Sequence, residues 1–354
     1  MRTARIRDLG IKIGELDAGP VNSITDVEGV TVGQVTLSDG DKQTGVTAIV
    51  PHQDSLFEEK LIASSHVING FGKTMGTIQL NELGSLETPI VLTNTLSIGT
   101  AAEAVIDYML ERHPQIGRTT GTVNPVIGEC NDMILNDIRA QPVKNEHVRQ
   151  ALNEASKDVK EGSVGAGTGM VCYSLKGGVG TSSRVIHLPH GTYTVGVLVI
   201  TNFGKLSDLS ISGHPIGKKL SQKIKAHETP DKGSVMIIVA CDLPVSQRQL
   251  NRILKRSVTG LSRTGSIISN GSGDIAIGFS TAAKIPHEPD GELLSISTIH
   301  EEEIDHAFRA AGEAVEEAVL NSLTAADSVT GRDGNYLPTL MELLHTYQLN
   351  LSPN

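Results

Sequence analysis

Short β-branched runs and amphipathic stretches alternate along the chain. Residues 30–35, 45–50, 90–92, 193–201, 234–241 and 274–281 are runs of strand length rich in Val, Ile and Thr, and they predict strands. Between them apolar positions recur at helical spacing. Residues 100–112 predict a helix, and 145–161 a charged amphipathic one. The segment 246–261 opens on a serine suited to an N-cap. Residues 301–325 predict a long Ala/Glu-rich helix with Val315, Val319 and Leu323 on one side. The polar stretch 137–162 reads as an exposed helical excursion. The tail 335–354 packs either onto the domain or onto a neighbouring subunit. No repeat and no Pro/Gly/Ser linker divides the chain, so the pattern predicts one α/β domain of mixed sheets covered by helices.

Composition narrows what such a domain does. Of 354 residues, 38% are hydrophobic and 20% charged, enough for a sizeable core. Aromatics are only 3% with no Trp, and the net charge is −10. The chain therefore has neither the stacking platform nor the basic stripe that binds nucleic acid. Neither the opening residues nor any later run has the apolar length of a signal region or membrane span, which leads us to expect a cytoplasmic protein with no membrane partner. Cys130, Cys172 and Cys241 are far apart and odd in number. They read as small buried hydrophobes, not as disulfides or metal ligands.

Several motifs come close and fail. Lys176-Gly177-Gly178-Val179-Gly180-Thr181-Ser182 resembles a phosphate loop, but Thr181 stands where the lysine belongs. Gly72-Lys73-Thr74 has the lysine, but Val67 replaces the required glycine. Gly165-Ala166-Gly167-Thr168-Gly169-Met170 ends in Met where a dinucleotide fingerprint needs Gly or Ala. His187 and His190 are separated by Leu188-Pro189, which forbids the helix that would align them on a metal. No serine sits in a Gly-x-Ser-x-Gly elbow.

The chemically distinctive segment is Thr264-Gly265-Ser266-Ile267-Ile268-Ser269-Asn270-Gly271-Ser272-Gly273-Asp274, between a helix end near Leu261 and a strand. Asn270-Gly271 signals a turn, and glycines on both sides of Ser272 permit positive φ and close backbone approach. A serine held there can attack its own preceding carbonyl. Hydrolysis of the resulting ester frees an amine that then serves as the base for the same hydroxyl, with no histidine needed. By spacing alone the segment also reads as an ordinary turn before a strand.

Motifs spread over nearly the whole chain carry a resemblance. They are Asn22-Ser23-Ile24-Thr25-Asp26-Val27-Glu28-Gly29, Pro89-Ile90-Val91-Leu92-Thr93-Asn94-Thr95, Gly128-Glu129-Cys130-Asn131-Asp132, Gly167-Thr168-Gly169-Met170, Lys176 to Arg184, Asn202-Phe203-Gly204 and Ser272-Gly273-Asp274. Together they resemble the L-aminopeptidase/D-esterase (DmpA) family of N-terminal-serine peptidases, which includes β-peptidyl aminopeptidases. The resemblance implies a four-layer α/β/β/α sandwich shared with ornithine acetyltransferase-like proteins, no cofactor or metal, and homo-oligomers. It also implies a precursor cut after Gly271 into an α-chain, 1–271, and a β-chain, 272–354. Ser272 would be the nucleophile, with Ser266 the alternative. Asn202 is the candidate oxyanion donor, or else a turn asparagine. Glu129 is the candidate for the substrate's amine, or else a surface or structural carboxylate. Tyr173 is a substrate-binding candidate that would place a hydroxyl near the nucleophile, or else a core residue. The family's further Ser and Glu match no motif here, leaving Ser280, Glu316 and Glu317 as candidates. The expected activity is release of N-terminal residues from short peptides, amides or esters through an acyl-enzyme. The rivals are an acyl transferase on the same fold and an uncleaved binding or assembly protein.

Overall fold

The computed structural model describes residues 4–224, 233–289 and 291–351. In chain order the strands are β1 Thr31–Asp39, β2 Lys42–Val50, β3 Glu59–Gly70, β4 Thr74–Met75, β5 Ser85–Leu86, β6 Ile90–Asn94 and β7 Val126–Cys130. After them come β8 Val171–Cys172, β9 Leu175–Lys176, β10 Val179–Leu188, β11 Gly191–Asn202, β12 Ser234–Cys241 and β13 Gly273–Pro286. The helices are α1 Thr77–Glu82, α2 Ile98–Arg112, α3 Asn145–Asn153, α4 Ile216–Ile224, α5 Gln247–Leu254, α6 Ser257–Arg263, α7 Ile304–Thr324 and α8 Leu340–Thr346.

Two sheets stack face to face, one ordered β1-β2-β6-β7-β4, the other β10-β11-β12-β13-β3-β5. Strand alternation explains the layers. Val235, Ile237 and Val239 of β12 face a core shared with α5, α6 and α7, while Met236, Ile238 and Ala240 face the opposite sheet. Burial on both faces is why 234–241 is a continuous apolar run rather than an alternating one. A third core lies between the first sheet and α2 and α3. The fold is thus a four-layer α/β/β/α sandwich. Among the described residues no helix is long and apolar enough to cross a membrane. The three cysteines are buried and none is joined in a disulfide among the described residues, and burial pushes the Cys241 thiol up to about 12.

The sequence pattern and the fold diverge at several elements. The helix expected over 145–161 ends at Asn153, and Ser156 bridges Val32 of β1 instead. Nor is this stretch an exposed excursion, because Val148, Ala151 and Leu152 are buried in the α2/α3 core. Residues 246–261 form two helices, the first capped by Ser246 as expected. From Ala310 to Thr324 every residue of α7 is buried, not one stripe only. The tail packs onto the domain through Leu340 and Leu344 of α8.

Close contact between α7 and β10 needs Gly180, where a Cβ would lie 1.8 Å from the Ala318 carbonyl. Beside it, fully buried Arg184 binds Glu317 at 2.7 Å and Glu313 at 3.3 Å. Glu317 also holds Arg7 at 2.6 Å and Asn22. Glu313 accepts the backbone N–H groups of Glu15 and Leu16. Burial pushes the Glu317 carboxyl up, but its two arginines prevail and hold it below the usual range. This network pins the N-terminal segment to α7.

Candidate active site

The segment leaving α6 turns twice before it reaches β13. Gly265 and Ile268 adopt left-handed φ of 101° and 54°, and the Ser272 N–H closes a turn on the Ser269 carbonyl at 3.0 Å. Gly273 enters the sheet between Ser234 of β12 and Gly70 of β3. Neither Gly271 nor Gly273 takes the positive φ that the sequence permits, but the close backbone approach expected at Gly273 is present. The requirement at this glycine is space, since a Cβ would lie 2.7 Å from both the Gly72 Cα and the Phe71 carbonyl.

Ser272 is therefore seated at a sheet end with its backbone held on both sides. It is only 1% exposed. Its carbonyl accepts the Phe71 N–H at 3.2 Å and the Asn69 amide. The same Asn69 Nδ2 lies 3.1 Å from the carbonyls of Ser269 and Asn270, so one side chain gathers the whole turn. The hydroxyl donates to Asp274 Oδ1 at 2.6 Å. Residues two apart on a strand share a face, which puts this carboxylate beside the serine. Ser266 serves the helix exit instead: its N–H meets the Leu261 carbonyl at 3.2 Å and its Oγ accepts the Ile268 N–H at 3.3 Å.

Asn202 ends β11, opposite Ser234, which is itself opposite Gly273. Two strand spacings of about 4.8 Å separate its Cα from that of Gly273. The Val171 N–H donates to Asn202 Oδ1 at 2.9 Å and fixes the amide's orientation. Its Nδ2 then donates to the Asn131 carbonyl at 2.9 Å and more weakly to Ser234 Oγ at 3.4 Å.

Glu129 lies near the C-terminal end of β7, in the facing sheet, and is buried. Its Oε1 accepts the Lys73 N–H at 3.0 Å and its Oε2 the Thr95 hydroxyl. Phe71 touches the Ser272 carbonyl and Lys73, two residues on, touches Glu129. The nucleophile candidate and the carboxylate are thus linked through one short segment. A carboxylate with one donor on each oxygen retains lone pairs for an ammonium. Tyr173 is fully buried at a two-residue turn between β8 and β9, where it and Ser174 both take positive φ. Its hydroxyl pairs with Thr264 Oγ1 at 2.9 Å, in the segment leading to Ser272.

Ser280 lies eight residues along β13 from Ser272, about 26 Å at strand rise, with its hydroxyl on the Leu243 carbonyl. Glu317 belongs to the Arg184 network. Glu316 pairs with Arg263 at 3.5 Å, and burial raises its carboxyl. Lys176, from the failed phosphate motif, is fully buried and donates to the carbonyls of Gly167, Met170 and Gly177 at 3.0, 3.1 and 2.6 Å. Burial lowers its pKa to about 7. The lysine braces the loop that leads into Val171 and so into Asn202.

Sequence reasoning passed over Asn69, Asn131, Ser234 and Asp274. A signal existed for Asp274, from its i, i+2 spacing to Ser272. Asn69 gave none, because the polar-rich strand β3 was not recognised.

The family profile of peptidase family S58 matches residues 22–337. The β-peptidyl aminopeptidase BapA of Sphingosinicella microcystinivorans is 37% identical over 353 residues, covering 93% of this chain and 88% of the relative. The solved PH0078 protein from Pyrococcus horikoshii OT3 is 46% identical with a TM-score of 0.91, over 98% of this chain and 99% of that one. The L-aminopeptidase D-Ala-esterase/amidase of Ochrobactrum anthropi superposes with a TM-score of 0.88 at 35% identity, covering 98% of this chain and 99% of its own. That enzyme is described as a prototype of the serine aminopeptidases and a variant of the Ntn hydrolase fold. Fold and likeness define an N-terminal-nucleophile hydrolase of the serine aminopeptidase class. The chain belongs to peptidase family S58.

Proposed function

We propose that the chain cuts itself between Gly271 and Ser272, and that the 272–354 piece then uses Ser272 as the nucleophile of an aminopeptidase acting on short peptides, amides or esters. The observation that carries this reading is the seating of Ser272 at the mouth of β13. Its hydroxyl is engaged by a carboxylate, and its turn is held by Asn69. The names of the relatives, β-peptidyl aminopeptidase and L-aminopeptidase D-Ala-esterase/amidase, support the substrate class.

In the cut enzyme the freed amine takes the proton of Ser272 Oγ as the hydroxyl attacks the scissile carbonyl. Asn202 Nδ2 receives the developing oxyanion, and Glu129 holds the substrate's ammonium. The acyl-enzyme then yields to water. Tyr173 acts through Thr264, steadying the segment that carries the nucleophile. A cytoplasmic homo-oligomer completes the reading, checked by fractionation and light scattering. Acyl transfer to an added amine is the second outcome that product analysis distinguishes.

The test is intact mass and N-terminal sequencing of the purified protein beside Ser272→Ala. Two pieces, one beginning Ser-Gly-Asp-Ile, are expected from the natural chain and a single piece from the variant. A single piece from both refutes self-processing, and a cut before Ser266 moves the nucleophile.

A further inference from the structure

We propose that Asn270 is a self-modification site: the Gly271 nitrogen attacks its side-chain amide, the residue becomes aspartate or isoaspartate, and the isoaspartate unseats Ser272. The modification does not depend on the reading above. The loss of activity that follows from it rests on Ser272 belonging to the active site.

The chain contains two Asn-Gly pairs, Asn69-Gly70 and Asn270-Gly271, and the fold brings them together in opposite circumstances. In such a pair no Cβ hinders the glycine nitrogen from approaching the asparagine Cγ. The attack is intramolecular, so local geometry decides its rate. Asn69 is paired opposite Asp274 and Gly70 opposite Gly273, so the sheet holds the first pair. The Asn69 amide is anchored as well, on the carbonyls of Ser269, Asn270 and Ser272. Asn270 is exposed, in the turn between α6 and β13. Among the described residues its side chain has no hydrogen-bond partner, and no carbonyl takes the Gly271 N–H.

The reaction balances with water alone. Gly271 N bonds to Asn270 Cγ, the Cγ–Nδ2 bond breaks, and Nδ2 leaves as ammonia with the proton that Gly271 N gives up. Water then opens the cyclic imide. Opening at Cγ leaves aspartate. Opening at the main-chain carbonyl leaves isoaspartate, in which the chain runs through Cβ and Cγ and the old carbonyl has become a carboxylate. That carbonyl is one of those held by Asn69, at 3.1 Å. It lies inside the turn that the Ser272 N–H closes on Ser269 at 3.0 Å. The backbone is fixed on both sides, at Ser269 by Asn69 and at Gly273 by β12. The added main-chain carbon is therefore taken up at Ser272, which is only 1% exposed.

The experiment incubates the natural protein and Asn270→Gln in mildly alkaline buffer, folded and in guanidinium. Both Asn-Gly pairs are followed by peptide mapping with isoaspartyl-methyltransferase labelling. Activity of the folded samples on an amino-acid p-nitroanilide is read as a fraction of each protein's own starting value, with thermal melts to verify folding. In guanidinium both pairs should convert. In the folded protein Asn270 should convert at least about tenfold faster than Asn69. Activity of the natural protein should fall in step with isoaspartate at position 270, while Asn270→Gln, whose longer side chain must close a larger ring, keeps its own. Asn270→Ser carries the same comparison if glutamine is not tolerated. Equal conversion of the two pairs in the folded protein, or faster conversion of Asn69, overturns the site. Conversion of Asn270 with undiminished activity overturns the unseating where fresh Ser272→Ala is inactive. A fully active Ser272→Ala instead removes Ser272 from the active site, and the expected loss of activity with it.

Discussion

Replacing Asn202 by alanine tests its proposed role as the oxyanion donor. Of the two hydrogens on Asn202 Nδ2, one is committed to the Asn131 carbonyl at 2.9 Å. The other faces Ser234 Oγ at 3.4 Å, a contact weak enough to be exchanged for a developing oxyanion. The Val171 N–H on Oδ1 prevents the amide from flipping. Loss of one such donor costs about 2.7–4 kcal/mol in the transition state, or about 10²–10³ in kcat. Alanine also leaves Val171 N–H and the Asn131 carbonyl without this partner, at about 1–3 kcal/mol of stability for each group left unsatisfied. The assay is kcat and KM of the cut fraction on an amino-acid p-nitroanilide, with a melt in parallel. A fall in kcat at nearly constant KM is expected, because the interaction is made only in the transition state. Asn202→Asp keeps the acceptor for Val171 but turns an acceptor toward the Asn131 carbonyl, and should lose at least as much. A folded Asn202→Ala with kcat within threefold of the natural enzyme would refute the role. A raised KM at unchanged kcat would make Asn202 a ground-state binding residue instead.

Two further outcomes concern the scaffold. Glu317→Gln breaks a buried ion pair with Arg184, which should cost about 3–5 kcal/mol and lower the Tm by about 4–7 °C in a chain of this size; a shift under about 1 °C would contradict this. Burial raises the Asp132 carboxyl to about 7, so between about pH 4 and 7 the folded state holds a proton that the unfolded state has released. Its contribution to stability is therefore fully present at low pH and lost as pH rises toward 7. The Tm advantage of Asp132→Asn over the natural protein should grow across that window, and a constant difference would count against the assignment.

How far the sequence is legible depends on what each element buries. The strand 234–241 reads correctly because both of its faces are apolar, and Ser246 reads as a cap because its partner Gln249 lies three residues on. Strand β3 escaped notice because Ser64, Ser65, His66 and Asn69 interrupt its apolar pattern, although Ser64 and Ser65 are buried and Asn251 of α5 donates to the Ser64 hydroxyl and the Ser65 carbonyl. The helix expected beyond Asn153 has the right local pattern, but pairing of Ser156 with Val32 prevails over propensity. At the site, Ser272 stands out locally as a small residue between glycines. Asn69, about 200 residues away in the chain, becomes its neighbour only through the antiparallel pairing of β3 with β13, which no local signal encodes.

The position of β13 has a consequence for any molecule cut before Ser272. The 272–354 piece supplies an interior strand, paired on one side with β12 and on the other with β3, and the buried helix α7. Neither piece retains a closed core without the other, so the severed halves stay together only by mutual burial. Once unfolded, they must meet again by diffusion, and recovery becomes bimolecular, dependent on protein concentration where folding of the uncut chain is not. The longevity of the cut enzyme then rests on its barrier to opening rather than on its capacity to re-form.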